Sequence, residues 1–236
     1  MTLLLIGLGL NKNSISAEAL KKLKNCKTIY LENYTVNFPY TIEQLEKELK
    51  QKITQLNRSE VEGLKFLDEA KEKDIVLLVY GDPLSATTHI TIIQECQKQK
   101  IKYKIFHNAS ILTAIAETGL QLYKFGKTTS MPNWKEHTNQ PTSFVDYIQQ
   151  NQSIKAHTLI LIDIDLEIKE AINQLNESII LKQKIIAISN AGTKRQKIFY
   201  DTPKKLSTIN IPMPFCLIVP TKLHFLEEKY LNNLKQ

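Results

Sequence analysis

The densest run of side chains able to do chemistry is Gly81-Asp82-Pro83-Leu84-Ser85-Ala86-Thr87-Thr88-His89. It follows Ile75 to Tyr80, an unbroken apolar run that suits a strand buried on both faces of a parallel sheet. Gly81 permits unusual backbone angles and Pro83 lacks an N–H for the ladder, so the strand must stop there. A carboxylate and several hydroxyls thus stand at a strand's carboxyl end, where open α/β sheets bind their ligands. The plainer alternative is a strand-to-helix turn, with Asp82 holding backbone and Thr87 or Thr88 capping a helix through Ile90, Ile93 and Cys96.

Other strand ends repeat the theme. His107-Asn108-Ala109-Ser110 follows an apolar run at 103–106, and Ser110 reads as an N-cap. Ile162-Asp163 closes a run at 158–163, and Asn190-Ala191-Gly192 follows 185–189. Gly7-Leu8-Gly9-Leu10 begins like a dinucleotide fingerprint, with Glu32 near the place of a ribose-binding acid, but Lys12 stands where the third glycine belongs. A tight turn, or a loop bringing backbone close to a ligand, fits those glycines equally well. His224, after Pro220-Thr221-Lys222, reads as a cap or a packed side chain. Small and polar groups at several strand ends suit an adenosine-sized ligand. They indicate a pocket, not a reaction.

Several classes are disfavoured. The 5 histidines never take metal-ligand spacing, and the 3 cysteines are widely separated, so neither a metal site nor a disulfide framework is expected. No phosphate-binding P-loop or Gly-x-Ser-x-Gly elbow is present. The net charge of +7 is nearly all lysine, interleaved with glutamate at 43–52 and 62–73, as on solvated helix faces. No aromatic-plus-arginine stripe suggests a nucleic-acid partner. No apolar run approaches the ~18 residues of a membrane span. The opening MTLLLIGLGL has no basic flank and ends in Gly-x-Gly, so it reads as a strand. A reducing, cytoplasmic setting is the expectation.

The elements that must position these groups alternate regularly. Strands are expected at 3–8, 28–32, 53–56, 75–80 and 103–106. Between them fall helices capped by Ser14 or Ser16, by a Thr41-x-x-Gln44 box and by a Ser59-x-x-Glu62 box, then one from Ile90 and one at 110–117 that Gly119 ends. Such alternation indicates a mostly parallel sheet with helices on its faces. Residues 119–139 break the rhythm and place a domain junction. Beyond it, helices are expected at 143–150, 167–175 and 224–234, with strands at 158–163, 185–189 and 215–219 and a hairpin near 198–200. The expected fold class is α/β in two α/β domains: 1–120, with the Gly-Leu-Gly-Leu and Gly-Asp-Pro loops, and a smaller 121–236.

The chain resembles the diphthine synthases, a branch of the tetrapyrrole-methylase superfamily. The matching segments run in order from end to end: LLLIGLGLN, YLENYT, GDPLSATTH, TGLQLYKFGK, PTSFVDYI, HTLILIDI, NAGT and IVPTKLHFLE. The resemblance implies an S-adenosylmethionine-dependent methyltransferase, releasing S-adenosylhomocysteine, without a metal, with the cofactor in a cleft between two α/β domains. Its substrate would be elongation factor 2, methylated repeatedly on the amino group of a 3-amino-3-carboxypropyl histidine, and the enzyme would be a homodimer. Carried over motif by motif, the cofactor contacts would be Leu10, Asp82, Ser85, Ser110, Ile111, Ile162, Ala191 and His224. Tyr123, Lys124, Lys127 and Lys222 are candidates for the substrate arm and its carboxylate. No catalytic residue is singled out. The chain departs from the pattern at Ser85 (usually aliphatic), Ala109 (proline) and Asn190 (commonly arginine). Rival readings are a superfamily enzyme acting on a tetrapyrrole or RNA, and a non-catalytic basic nucleic-acid-binding module.

Overall fold

The computed structural model describes residues 1–234. Its contacts divide the chain into two compact units, Met1–Leu112 and Thr113–Gln236. The first holds strands β1 (Thr2–Gly7), β2 (Thr28–Glu32), β3 (Thr54–Leu56), β4 (Ile75–Val79) and β5 (Lys102–Phe106). They lie in the order β3-β2-β4-β1-β5, every neighbouring pair parallel. A parallel sheet needs both faces covered, and the alternation along β1 and β4 supplies them. Leu4, Ile6, Val76 and Leu78 pack under helices α1 (Ala17–Leu23) and α2 (Ile42–Leu49). Leu3, Leu5, Ile75 and Leu77 pack on the other face, under Phe66, Leu67 and helix α4 (Ile90–Lys98).

Most expected boundaries hold within two residues. Ser16 caps α1, and Thr41 with Gln44 forms the expected capping box on α2. The Ser59-x-x-Glu62 box does not form. Asn57 and Glu60 make the box instead, opening a short α3 (Arg58–Glu62), while the Ser59 hydroxyl donates to Asn57 Oδ1 at 2.7 Å. Gly63 then ends that helix and a separate 3-10 turn, Lys65–Lys71, carries Leu67 and Ala70 into the core. An asparagine two residues earlier is as good a cap as a serine, and glycine is a poor helix former.

The second unit contains β6 (Thr129–Met131), α6 (Ser143–Ser153), β7 (Thr158–Ile162), α7 (Ile168–Ser178), β8 (Ile185–Ser189), β9 (Lys197–Asp201), α8 (Pro203–Leu206), β10 (Phe215–Val219) and α9 (Phe225–Asn232). A short α5 (Ile111–Ala114) spans the boundary between the units, and a 3-10 turn carries it on to Gly119 in the left-handed region, φ 82°. The sheet order is β6-β7-β10-β8-β9. Only β6–β7 is parallel: β10 inserts antiparallel between β7 and β8, and β9 completes the expected hairpin with β8. The mostly parallel arrangement expected from the alternation in the first half is found there, and the second sheet is mixed. An apolar run records burial, not the direction of its neighbour. Phe144, Ile148, Ile160, Ile172, Leu175 and Leu217 form the core on the helical side.

Candidate functional site

In the first unit, the carboxyl ends of the adjacent strands β4, β1 and β5 bring three loops together. Gly9 and Gly81 form a two-way backbone bridge, each N–H donating to the other's carbonyl at 3.0 Å. Both adopt positive φ, 68° and 72°. A Cβ on Gly7 would sit 2.6 Å from the Gly81 carbonyl oxygen, so the β1 and β4 loops can touch only without side chains there. The Tyr80 hydroxyl donates to the Leu10 carbonyl at 3.0 Å, a second tie between the same loops.

Asp82 joins the third loop. Its Oδ1 accepts from the Leu84 N–H at 3.0 Å and the Ser85 hydroxyl at 3.2 Å. Its Oδ2 accepts from His107 Nδ1 at 2.8 Å and the Asn108 N–H at 3.1 Å. Burial would raise this carboxyl, but those donors outweigh it and hold the pKa below the usual range. Both oxygens are thus spent within the protein, as in the plainer turn reading, and Asp82 sets the shape of the loop. Asn108 does the reciprocal work: its Nδ2 donates to the carbonyls of Gly7 and Ser14, both at 2.9 Å. Ser110 Oγ accepts from the Leu112 N–H at 3.2 Å, opening α5 at Ile111. Leu10, Asp82, Ser85, Ser110 and Ile111 therefore belong to one bonded cluster of loops. His89, not Thr87 or Thr88, is the N-cap residue of α4, while Thr87 Oγ1 accepts from the His89 N–H at 3.1 Å.

The second unit has two polar centres on opposite edges of its sheet. Ile162 ends β7 and Ala191 follows β8, parallel strands whose carboxyl ends lie beside Phe215 at the start of β10. Here Asn190 is buried with φ 50°. The Ser189 hydroxyl donates to the Pro212 carbonyl, so its lone pair accepts from Asn190 Nδ2 at 2.8 Å. That leaves Asn190 Oδ1 buried without a hydrogen-bond donor. An orphaned acceptor beside Ala191 fits a ligand that brings an N–H, as the adenine amino group of a nucleoside would.

The other edge, where β7 begins and β10 ends, holds Tyr123, Lys124, Lys222 and His224. Glu227, wholly buried, organises it. Its carboxylate accepts from the N–H groups of Gln121 at 2.9 Å and His224 at 2.6 Å, and from the Lys124 ammonium. His157 Nε2 lies 3.4 Å from Glu227 Oε1. The Thr221 N–H donates to His157 Nδ1 at 3.0 Å, so the neutral ring carries its proton on Nε2. Burial would raise Glu227, yet these donors bring it down to about 2. Burial lowers His157, against the pull of Glu227. Lys124 also donates to the Lys222 carbonyl at 3.0 Å, so its charge is committed inside the protein. Lys127 donates to Gln150 Oε1 at 3.1 Å.

His224 is the N-cap of α9, its Nδ1 accepting from the Leu226 N–H, and it follows the end of β10 opposite to the one beside Ile162 and Ala191. Sequence reasoning missed Glu227, because the helix-opening box H-x-x-E carries histidine where a serine or threonine would have announced it. Asn108 was visible only as a polar strand end.

Tetrapyrrole (Corrin/Porphyrin) Methylases is the family model that matches, over residues 2–207. A diphthine synthase of Methanocaldococcus jannaschii is 38% identical over 253 residues, covering 98% of each chain. The chain belongs to the tetrapyrrole methylase family, in its diphthine synthase branch. It is a methyltransferase. A Bos taurus relative named diphthine methyl ester synthase is 33% identical, covering 98% of this chain and 94% of its own. A crystal structure of a diphthine synthase superposes with a TM-score of 0.91 at 32% identity, covering 99% and 96%. The motifs that carried the resemblance now have physical roles. GLGL and GDPLSATTH build the bridged loops, and TGLQLYKFGK, HTLILIDI and VPTKLHFLE converge on Glu227.

Proposed function

We propose that the chain is an S-adenosylmethionine-dependent diphthine synthase, methylating the amino group of the 3-amino-3-carboxypropyl histidine of elongation factor 2. The observation that carries this reading is the end-to-end likeness to diphthine synthases, 98% of both chains in the M. jannaschii case. S-adenosylmethionine would supply a methyl already activated by its sulfonium charge. The protein's task is then alignment, which can contribute roughly 7–11 kcal/mol toward a displacement of this kind. An α-amino group titrates near about 7.7–8.0, so a useful minority of the acceptor is neutral at cell pH without a strong base.

The proposed cofactor contacts are the backbone and short side chains of the bonded loops, Leu10, Asp82, Ser85, Ser110 and Ile111, with Ile162 and Ala191. The orphaned Asn190 Oδ1 supports a nucleoside at Ala191. His224 is a separate candidate, tested on its own by His224→Ala. Lys127 and Lys222 with Tyr123 are proposed as contacts to the acceptor protein around the arm, with Lys124 acting through its hold on Glu227 and the Lys222 carbonyl.

Incubation with S-adenosylmethionine and elongation factor 2 bearing the unmethylated arm should raise the factor's mass in multiples of one methyl group. No mass change would end this reading. The name of the bovine relative favours one extension, a methyl ester on the arm's carboxylate. A methyl that mild alkali removes would identify it. Asp82→Ala should weaken S-adenosylhomocysteine binding at least about tenfold by calorimetry, because two loops lose their common anchor. Unchanged affinity removes Asp82 from the site.

A further inference from the structure

Around the buried Glu227 the second unit exposes apolar side chains that no other described residue covers. Tyr123 is 82% exposed, Phe225 68%, Leu226 54% and Leu122 40%. Their placement is fixed by bonds already described. Gln121 and Lys124, which flank Leu122 and Tyr123, both bond Glu227, and Phe225 and Leu226 immediately precede Glu227 in the first turn of α9. Tyr230, one turn after Leu226, extends the same face and packs on Gly119, where a Cβ would meet its ring at 2.3 Å. Holding large side chains out on a rigid base costs solubility, and contiguous patches of this kind mark sites of association. Tyrosine and phenylalanine are the anchors such sites use.

We propose that this face docks the protein acceptor, a folded partner presenting apolar residues within an acidic rim. The rim of the patch decides the occupant. The exposed charges on the same bonded segments are Lys127, Lys155, Lys222 and Lys229 against Glu117 and Glu228. The Lys124 charge is already neutralised by Glu227. A second copy of this chain, related by a two-fold axis, would lay the same patch on itself and set lysine rim against lysine rim. An acidic partner gains from the same lysines, in encounter rate as well as in register. The proposal rests on the reading that the acceptor is a protein.

Leu122→Ser with Leu226→Ser tests it, since neither side chain belongs to the Glu227 network. The double variant should raise KM for the modified elongation factor about tenfold or more, with kcat within about twofold. Calorimetric affinity for S-adenosylhomocysteine and the sedimentation coefficient should match those of the wild-type chain. Unchanged KM overturns the docking face while leaving the methyltransferase reading intact, provided the wild-type chain turns over. A changed sedimentation coefficient overturns it in favour of contact between copies. Loss of RNA retention with KM unchanged overturns it in favour of a nucleic acid. A wild-type chain inactive on the modified factor overturns the function proposed above and this docking face with it.

Discussion

Glu227 and His157 show how burial and hydrogen bonding divide the work at a single residue. A carboxylate with four donors is cheaper to bury ionised than protonated, hence its fall to about 2. A lowered folded-state pKa contributes stability above the unfolded value and loses it as pH falls toward the folded value. His157, buried and neutral, obeys the same sign. Urea denaturation across pH should therefore show full stability above about 6.5, a first decline as His157 protonates, and a second between about 4.5 and about 2 as Glu227 does. A flat profile over that range would refute the assignment. Glu227→Ala should cost about 3–5 kcal/mol in the same measurement, toward the lower end because Lys124 retains some contact with water.

Between elements, the loops after β1, β4 and β5 are held by a handful of ties, each made by a residue type with no substitute. Gly9→Ala would place a methyl 2.5 Å from Ser14 Cβ at φ 68°. The left-handed backbone alone costs about 1–2 kcal/mol. Thermal unfolding should show at least that loss, and S-adenosylhomocysteine affinity should fall with it. Asn108→Ala leaves the Gly7 and Ser14 carbonyls without their donor, at about 1–3 kcal/mol for each that stays dry. Retained affinity in both variants would mean that the loops do not serve the cofactor. The loops were legible in the sequence, because an apolar run stopped by Gly-Asp-Pro is a strand end on any reading. Their ties were not. Asn108 bonds Gly7 across 101 positions, and nothing local records a contact of that separation.

For the whole molecule, a net charge of +7 opposes nonspecific self-association without naming a partner. Among the described residues no helix is long and apolar enough to cross a membrane. Many of the lysines sit in exposed pairs, such as Lys71 with Asp68 and Lys73 with Glu69, which contribute little individually. We expect a homodimer, so sedimentation equilibrium should give twice the 27.1 kDa of one chain. A monomer at micromolar concentration would contradict that expectation.

The sequence by itself determined the alternation of strands and helices, the positions of the ligand loops and the family, because periodicity, glycine turns and motif order are local or linear properties. Only the tertiary structure decided that the second sheet is mixed, that Asp82 and Lys124 spend their charges inside the protein, and that Glu227 gathers three distant motifs. Those outcomes depend on which atoms meet across the fold. Hydrogen bonds and desolvation act over a few ångströms of space, however many residues separate the partners.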